Sequence, residues 1–272
     1  MNIMVTGASG GYGSYAINFL KEFASKDNII ALVRDNSKRV ALEAKGFEVR
    51  VADYSDLSGM TKAMQDVDRL LFVSVPVFDL QKNVVAVAKA SGVKYIAYTS
   101  ICEPQYKKFG LEINHKQTEE LIRQTGIPHT FLRNGWYLEM MMPYLEASAK
   151  MGAFPYYAGD AKVAWTAKRD LAEAGARVIA YGCDEEILEL SGNAVTYAEL
   201  ARSSGKDMEI KPVSRNEFMA VMARSGILQM GMMLAQSYQD YAVQGSNGEE
   251  KLTSAVLEKV IGHKLLTAAE MI

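Results

Sequence analysis

The chain of 272 residues is 49% apolar and 23% charged, with a formal net charge of -2. So even a balance gives no basic field for nucleic acid and no lysine-rich face for a membrane, and no stretch reaches the ~20 apolar residues of a membrane helix. Cys102 and Cys183 form no C-x-x-C pair, which argues against a disulfide framework or a zinc site, and no basic–apolar leader precedes the first strand; the expectation is a cytoplasmic globular protein.

In chain order, apolar runs at Asn2–Thr6, Asn28–Val33, Phe47–Val51, Arg69–Val75, Tyr95–Thr99, His129–Leu132 and Glu186–Leu190 predict strands. Helical spacing is read near Tyr12–Ser25, Lys38–Lys45, Leu57–Met64, Leu80–Ser91, Ile113–Gln124 and Trp136–Met151. The strands are nearly continuous apolar runs, as expected when helices cover both faces of a parallel sheet. Strand–helix alternation with short links predicts an α/β, Rossmann-type doubly wound parallel sheet. After Gly152 the pattern loosens, through strand-like pieces at 154–157 and 161–165, a helix at Ala167–Tyr181, an extended piece at Met208–Pro212, and helices for most of the rest. We therefore divide the chain into a dinucleotide-binding domain over 1–152 and a smaller, mainly helical substrate lobe over 153–272. A segment near 167–192 returns to the sheet. The lobe is expected over the carboxyl ends of the strands, and Gln244–Glu250 reads as an exposed loop.

The first functional signal is Thr6-Gly7-Ala8-Ser9-Gly10-Gly11-Tyr12-Gly13, set between an apolar strand and a helical pattern. Backbone N–H groups and the positive end of a helix meet in such a turn, where a pyrophosphate can sit. Gly7 permits the tight turn, Gly10 lets phosphate approach the main chain, and Gly13 lets helix and strand pack closely. A second signal is Arg34, twenty-one positions beyond Gly13, at the end of the second strand. An acidic residue there would bond the ribose hydroxyl of NAD, whereas arginine suits the 2′-phosphate of NADP, with Lys38 adding a point charge. Asp35 beside it complicates that reading, and a solvated strand-end cation is the alternative. Asp53 and Tyr54, ending the third strand, border the adenine; a helix N-cap is the other use of Asp53.

These residues, together with Gly92–Ser100, Gly126-Ile127-Pro128 and Leu132-Arg133-Asn134-Gly135-Trp136-Tyr137, resemble the NmrA-like group of atypical short-chain dehydrogenases/reductases. Within it the likeness is to the bacterial NADPH-dependent quinone reductase branch, with the triphenylmethane dye reductases as near relatives. The resemblance implies an NADP-binding Rossmann domain and quinone reduction at the nicotinamide. It implies that Val73, Ser74 and Val75 line the middle of the cofactor, that Asn134, Gly135, Trp136 and Tyr137 pass near the nicotinamide, and that His115 stands where other members carry a functional lysine.

None of the fourteen tyrosines has a lysine four residues later, so the Tyr-x-x-x-Lys proton donor of ordinary short-chain dehydrogenases is missing. Reduction of a ketone needs a proton at an oxygen that becomes strongly basic. A quinone spreads the arriving charge over an aromatic ring, so a weak acid or water suffices. His115 and Tyr137 are the candidate catalytic residues, His115 as a hydrogen-bond donor that titrates near neutrality. Trp136 and Tyr137 are read as an aromatic wall for the acceptor, with ordinary core packing as the alternative. The function expected is hydride transfer from NADPH to a small quinone-like substrate, with no metal and with a homodimer left open. Reduction of azo or triphenylmethane dyes is a second reading, and an NADP-binding redox sensor without turnover a third.

Overall fold

The computed structural model describes residues 1–271, in two compact units each built from discontinuous stretches. The first unit comprises Met1–Asn134 and Leu171–Leu190. In chain order it contains β1 (Asn2–Val5), α1 (Gly11–Phe23), β2 (Asn28–Val33), α2 (Arg39–Glu43), β3 (Glu48–Val51), α3 (Leu57–Ala63) and β4 (Arg69–Phe72). There follow α4 (Phe78–Ala90), β5 (Tyr95–Ile101), α5 (Leu111–Thr125) and β6 (His129–Asn134). Between β6 and the return of the chain come β7 (Trp136–Tyr137), α6 (Met142–Met151), β8 (Ala153–Tyr156), β9 (Lys162–Thr166) and α7 (Lys168–Tyr181), and then β10 (Ile187–Leu190). The rest is β11 (Ala194–Thr196), α8 (Tyr197–Ser203), β12 (Glu209–Pro212), α9 (Arg215–Met222), α10 (Gln229–Gln244) and α11 (Ala255–Ile261).

The sheet of the first unit has the order β10-β6-β5-β4-β1-β2-β3, and every pairing in it is parallel. This is the Rossmann-type doubly wound sheet that the alternation of elements predicts. Strand order reverses between β1 and β4, and the carboxyl ends of strands at such a reversal are where open α/β sheets bind ligands. One core packs Met4, Ile30, Leu32, Leu70, Phe72, Ile96, Tyr98 and Phe131 from the strands against Met60, Val84, Val85, Ala88 and Ile122 from α3, α4 and α5, and Met64 just after α3. Local signals set the helix ends. Asp56 accepts the Gly59 N–H at the start of α3, and Gly126, with φ 74°, closes α5 in the left-handed conformation that glycine favours.

The second unit comprises Gly135–Asp170 and Ser191–Ile272. It holds a three-stranded sheet, β11-β9-β7, a parallel pair, β12-β8, and helices α6 and α8 to α11. The division therefore falls at Asn134/Gly135 rather than at residue 152. The helix expected from Trp136 is also corrected, because Trp136–Tyr137 pairs with Trp165–Thr166 as strand. A 3₁₀ turn over Leu138–Met140 follows, and α6 begins only at Met142, with Pro143 in its first turn. The fourth strand ends at Phe72 rather than Val75, since the Val73 N–H leaves the ladder for the Thr6 hydroxyl.

The expected exposed loop at Gln244–Glu250 is half wrong, because Asn247 and Glu249 are buried. Glu249, 1% exposed, accepts from Trp136 Nε1 (3.0 Å), the Tyr241 hydroxyl (2.6 Å) and the Ala164 N–H (2.9 Å). Three donors offset the desolvation of that carboxylate, which is why a polar loop can turn inward. No helix among the described residues is long and apolar enough to cross a membrane, and no group of three or more His, Cys, Asp or Glu side chains among them could hold a metal ion.

Candidate functional site

The turn after β1 is built around Gly7, whose φ is +57°, and its carbonyl accepts the Gly10 N–H at 2.9 Å. A Cβ on Gly13 would lie 2.8 Å from the Gly7 carbonyl carbon, 2.9 Å from Ala8 Cα, and closer still to the Gly7 oxygen. All three are backbone atoms, so only glycine lets α1 start this close to β1. The N-cap of α1 is Gly10, with no side-chain hydrogen bond, and the first turn carries no acidic residue. The positive end of a 13-residue helix is thus left open to an anion.

Beside this turn lies a cavity of about 350 Å³, lined by Gly7, Ser9 and Gly10 from the turn. Leu32, Val33, Arg34, Asp35, Ser37 and Lys38 line it from β2 and beyond, Ala52, Asp53 and Tyr54 from the end of β3, and Val75 and Leu80 from the stretch after β4. The sites expected at Gly7, Ser9, Gly10, Arg34, Lys38, Asp53, Tyr54 and Val75 therefore share one cavity, at the carboxyl ends of β1 to β4. Gly11 and Gly13 continue from it into α1.

Tyr12 departs from expectation in its side chain. The ring is buried and its hydroxyl donates to the Leu171 carbonyl at 3.0 Å, over Gly175, where any Cβ would collide with it. Its phenol ties α1 to α7, so only its backbone faces the turn.

The Arg34 side chain is 80% exposed, and among the described residues its ion pairing is limited to a loose 3.9 Å approach to Asp35. Asp35 does not occupy it, because that carboxylate turns back to accept the Ser37 N–H at 2.8 Å. Hydrogen bonding from Ser37 holds the Asp35 carboxyl below its ordinary range. Asp53 likewise accepts from the Ser55 N–H (2.8 Å) and hydroxyl (2.5 Å), which lower its pKa. The helix N-cap that is the alternative use of Asp53 belongs to Asp56 instead. Tyr54 packs edge-on to Phe72, and burial pushes its phenol up to about 12.

Past the cavity, the N–H groups of Val73, Ser74 and Val75 are taken by Thr6 Oγ1 (2.8 Å), Thr99 Oγ1 (2.8 Å) and Gln81 Oε1 (3.4 Å). This strand end has no amide to spare for a ligand. Ser100, where dehydrogenases often place a serine, is buried and donates to Glu119 Oε1 at 2.6 Å. Glu119 also accepts two hydrogen bonds from Arg133, so Ser100 belongs to a structural ion network.

His115, on α5, is half-buried, and its Nδ1 lies 2.9 Å from the Tyr98 hydroxyl. Burial lowers its pKa to about 4, against the opposing pull of Glu119. It is therefore neutral near pH 7 and is not the ready proton donor that its residue type suggests. Asn134, at the end of β6, is 4% exposed and neither side-chain amide atom has a hydrogen-bond partner among the described residues.

Gly135, Trp136 and Tyr137 belong to the other unit. Trp136 is 8% exposed, bonded to Glu249 and packed edge-on against Tyr238 and Tyr241. It is core, and cannot offer the flat wall expected of it. Tyr137 is half-buried, with Lys168 Nζ 4.8 Å from its ring centre.

Tyr98, Gln81 and Thr118 are also fully buried, and nothing local in the sequence marks Tyr98 or Thr118 as site residues. Gln81 carried the one available signal, a polar residue in helical register with Val84, Val85 and Ala88.

The model of the NmrA-like family matches residues 1–266. Quinone oxidoreductase 2 of Escherichia coli (strain K12) is 37% identical over 280 residues, covering 99% of this chain and 97% of the relative. The solved NADPH complex of the Escherichia coli NADPH-dependent quinone oxidoreductase superposes with a TM-score of 0.84 at 38% identity, covering 99% of this chain and 98% of that one. Triphenylmethane reductase of Citrobacter sp., complexed with NADP(H), gives 0.86 at 34% identity with the same coverages.

Proposed function

This chain belongs to the NmrA-like family, and on that premise we propose that it is an NADPH-dependent oxidoreductase acting on quinones or similar conjugated acceptors. The single observation that carries the cofactor choice is Arg34: a cation without a close partner among the described residues, on the rim of a cavity that begins at an uncapped helix. Bound NADPH supplies the hydride, and the protein supplies position and surroundings.

The residues present fit that cofactor on three separate grounds. The glycine turn lets α1 start close against β1 at Gly13 and, with Gly10 as its N-cap, leaves the first amides of the helix without a side-chain cap. Arg34, Ser37 and Lys38 form a cationic and hydroxylic rim suited to a phosphate ester, because a guanidinium forks onto phosphate oxygens and Lys38 adds charge. The Asn134 amide, buried with both atoms unpartnered among the described residues, is a group that a ligand carbonyl or amide would satisfy. Asp53 and Tyr54 border the adenosine end, while Val73, Ser74 and Val75 guide the middle of the dinucleotide. Asn134 is assigned to the nicotinamide end and His115 to the acceptor, both within the first unit; Gly135 and Tyr137, in the second unit, remain candidate site residues by the family resemblance.

Without Tyr-x-x-x-Lys the chain lacks the proton donor of ordinary short-chain dehydrogenases. That suits an acceptor whose reduced form is a delocalised hydroquinone anion, which water can protonate. Reduction of triphenylmethane dyes is the second reading, favoured by the match to a reductase of that class at a TM-score of 0.86.

The test is NADPH and NADH consumption by the purified protein across quinones, aldehydes, azo dyes and triphenylmethane dyes. Quinone-dependent oxidation with a preference for NADPH is expected. Tight NADP binding with no turnover on any acceptor would replace the enzyme with a redox sensor.

A further inference from the structure

We infer that a buried line of hydrogen bonds holds His115 as its Nδ1–H tautomer, so that Nε2 presents a lone pair to a hydroxyl donor, with Tyr98 and Gln81 as positioning residues. The line runs from α5 to α4, on to β5 and back to α5. The Thr118 hydroxyl lies 2.8 Å from the Asn114 carbonyl, Gln81 Nε2 lies 3.0 Å from Thr118 Oγ1, the Tyr98 hydroxyl lies 2.8 Å from Gln81 Oε1, and His115 Nδ1 lies 2.9 Å from that same hydroxyl.

Counting protons along this line fixes their direction. A carbonyl oxygen carries no hydrogen, so the single Thr118 hydrogen goes to Asn114, and Thr118 Oγ1 can only accept from Gln81. Gln81 must then turn its NH₂ to Thr118 and its carbonyl to Tyr98. The Val75 N–H, 3.4 Å from Gln81 Oε1, requires the same orientation, because a flipped amide would set two donors head to head. Two oxygens 2.8 Å apart need a proton between them, and Gln81 Oε1 has none to give. The hydrogen of Tyr98 is thereby spent on Gln81. Its oxygen can only accept from His115, whose Nδ1 must carry the proton.

Gln81, Tyr98 and Thr118 are fully buried, so water cannot relieve a wrong arrangement. His115 Nε2 makes no hydrogen bond with the described residues. A neutral imidazole protonated at Nδ1 can only accept at Nε2. His115 therefore orients a hydroxyl and does not deliver a proton, which reverses the donor role expected from the sequence. The hydroxyl belongs to the nicotinamide ribose or to the reduced acceptor. That last assignment rests on the proposed function; the tautomer does not.

The direct test is a long-range ¹H–¹⁵N correlation on the ¹⁵N-labelled full chain at neutral pH. The three histidine systems are resolved by comparison with His115→Gln. A pyrrole-type Nδ1 and a pyridine-type Nε2 are expected for His115, and a protonated Nε2 overturns the inference. Tyr98→Phe removes the acceptor for Nδ1–H and should shift the population towards Nε2–H. Gln81→Met breaks the next link and serves as a second variant if the first does not fold. An unchanged tautomer in the folded variant also overturns the proposal.

Losing one neutral hydrogen bond to an oriented hydroxyl should weaken binding about 3- to 10-fold, with kcat held within about twofold. A rise confined to the NADPH dissociation constant assigns the hydroxyl to the ribose, and a rise confined to the quinone KM assigns it to the acceptor. No rise in either removes the positioning role. The absence of NADPH oxidation in the wild-type protein would sink the quinone reductase reading while leaving the tautomer to stand or fall on the spectra.

Discussion

Replacing Arg34 with alanine separates a cofactor preference from a stray surface charge. Two unit charges about 4 Å apart in a water-like dielectric are worth ~1 kcal/mol, rising to ~4 kcal/mol at an effective dielectric near 20. Arg34 is 80% exposed, so the lower figure applies. A phosphate ester carrying roughly 1.5 to 2 charges then makes the contact worth about 2 kcal/mol, or about 30-fold in affinity. NADH lacks that phosphate, and its affinity should change by less than about threefold. Calorimetric titration of wild-type and Arg34→Ala protein with both nucleotides, at low and at high salt, measures this. The gap should narrow with salt, because the charges sit in water. Equal losses for NADPH and NADH would refute the assignment of Arg34 to the 2′-phosphate.

Gly13→Ala drives a methyl into Gly7 and Ala8 backbone that cannot yield. We expect about 1 to 3 kcal/mol of destabilisation in urea melts and at least tenfold weaker NADPH binding; wild-type affinity would mean that α1 does not abut the turn as described. Asn134→Leu replaces a buried amide with no partner by an apolar group of similar size. The free protein should gain roughly 1 kcal/mol while NADPH binding falls, and a loss of stability would show that the amide is already satisfied. His115 titrates at about 4 when folded and near its ordinary 6.5 when unfolded, so the unfolded state binds more protons in that window. Stability should therefore fall as pH drops from about 6.5 to 4, by roughly 2 to 3 kcal/mol from this group. His115→Gln should flatten that slope, and parallel curves for the two proteins would place the titration elsewhere.

The parallel sheet was legible because strands covered on both faces read as continuous apolar runs, and the phosphate turn because its glycines answer to backbone geometry. Short-range signals of this kind survive in one sequence. The two-residue strand at Trp136–Tyr137 was not legible, since its pairing with Trp165–Thr166 is a long-range choice that no local period records. For the same reason Trp136 read as an aromatic wall, when Glu249, more than a hundred residues later, claims its indole. The cavity rim at Arg34, Lys38, Asp53 and Tyr54 followed from counting along two strands. The Tyr98–Gln81–Thr118 line did not, because its members come from separate elements and show their purpose only once buried together.

The sheet of the first unit closes late in synthesis. A nascent chain that has emerged only as far as Asn134 carries six of its seven strands, and the ladder partner of Phe131–Asn134 arrives with Ile187–Leu190. Until then the outer rim of β6 stands as an open template of amides and carbonyls flanked by buried-type side chains, the kind of edge that recruits other chains. Chaperone demand and aggregation during translation should therefore be greatest between these two points, and truncations ending before residue 190 should be far less soluble than the full chain.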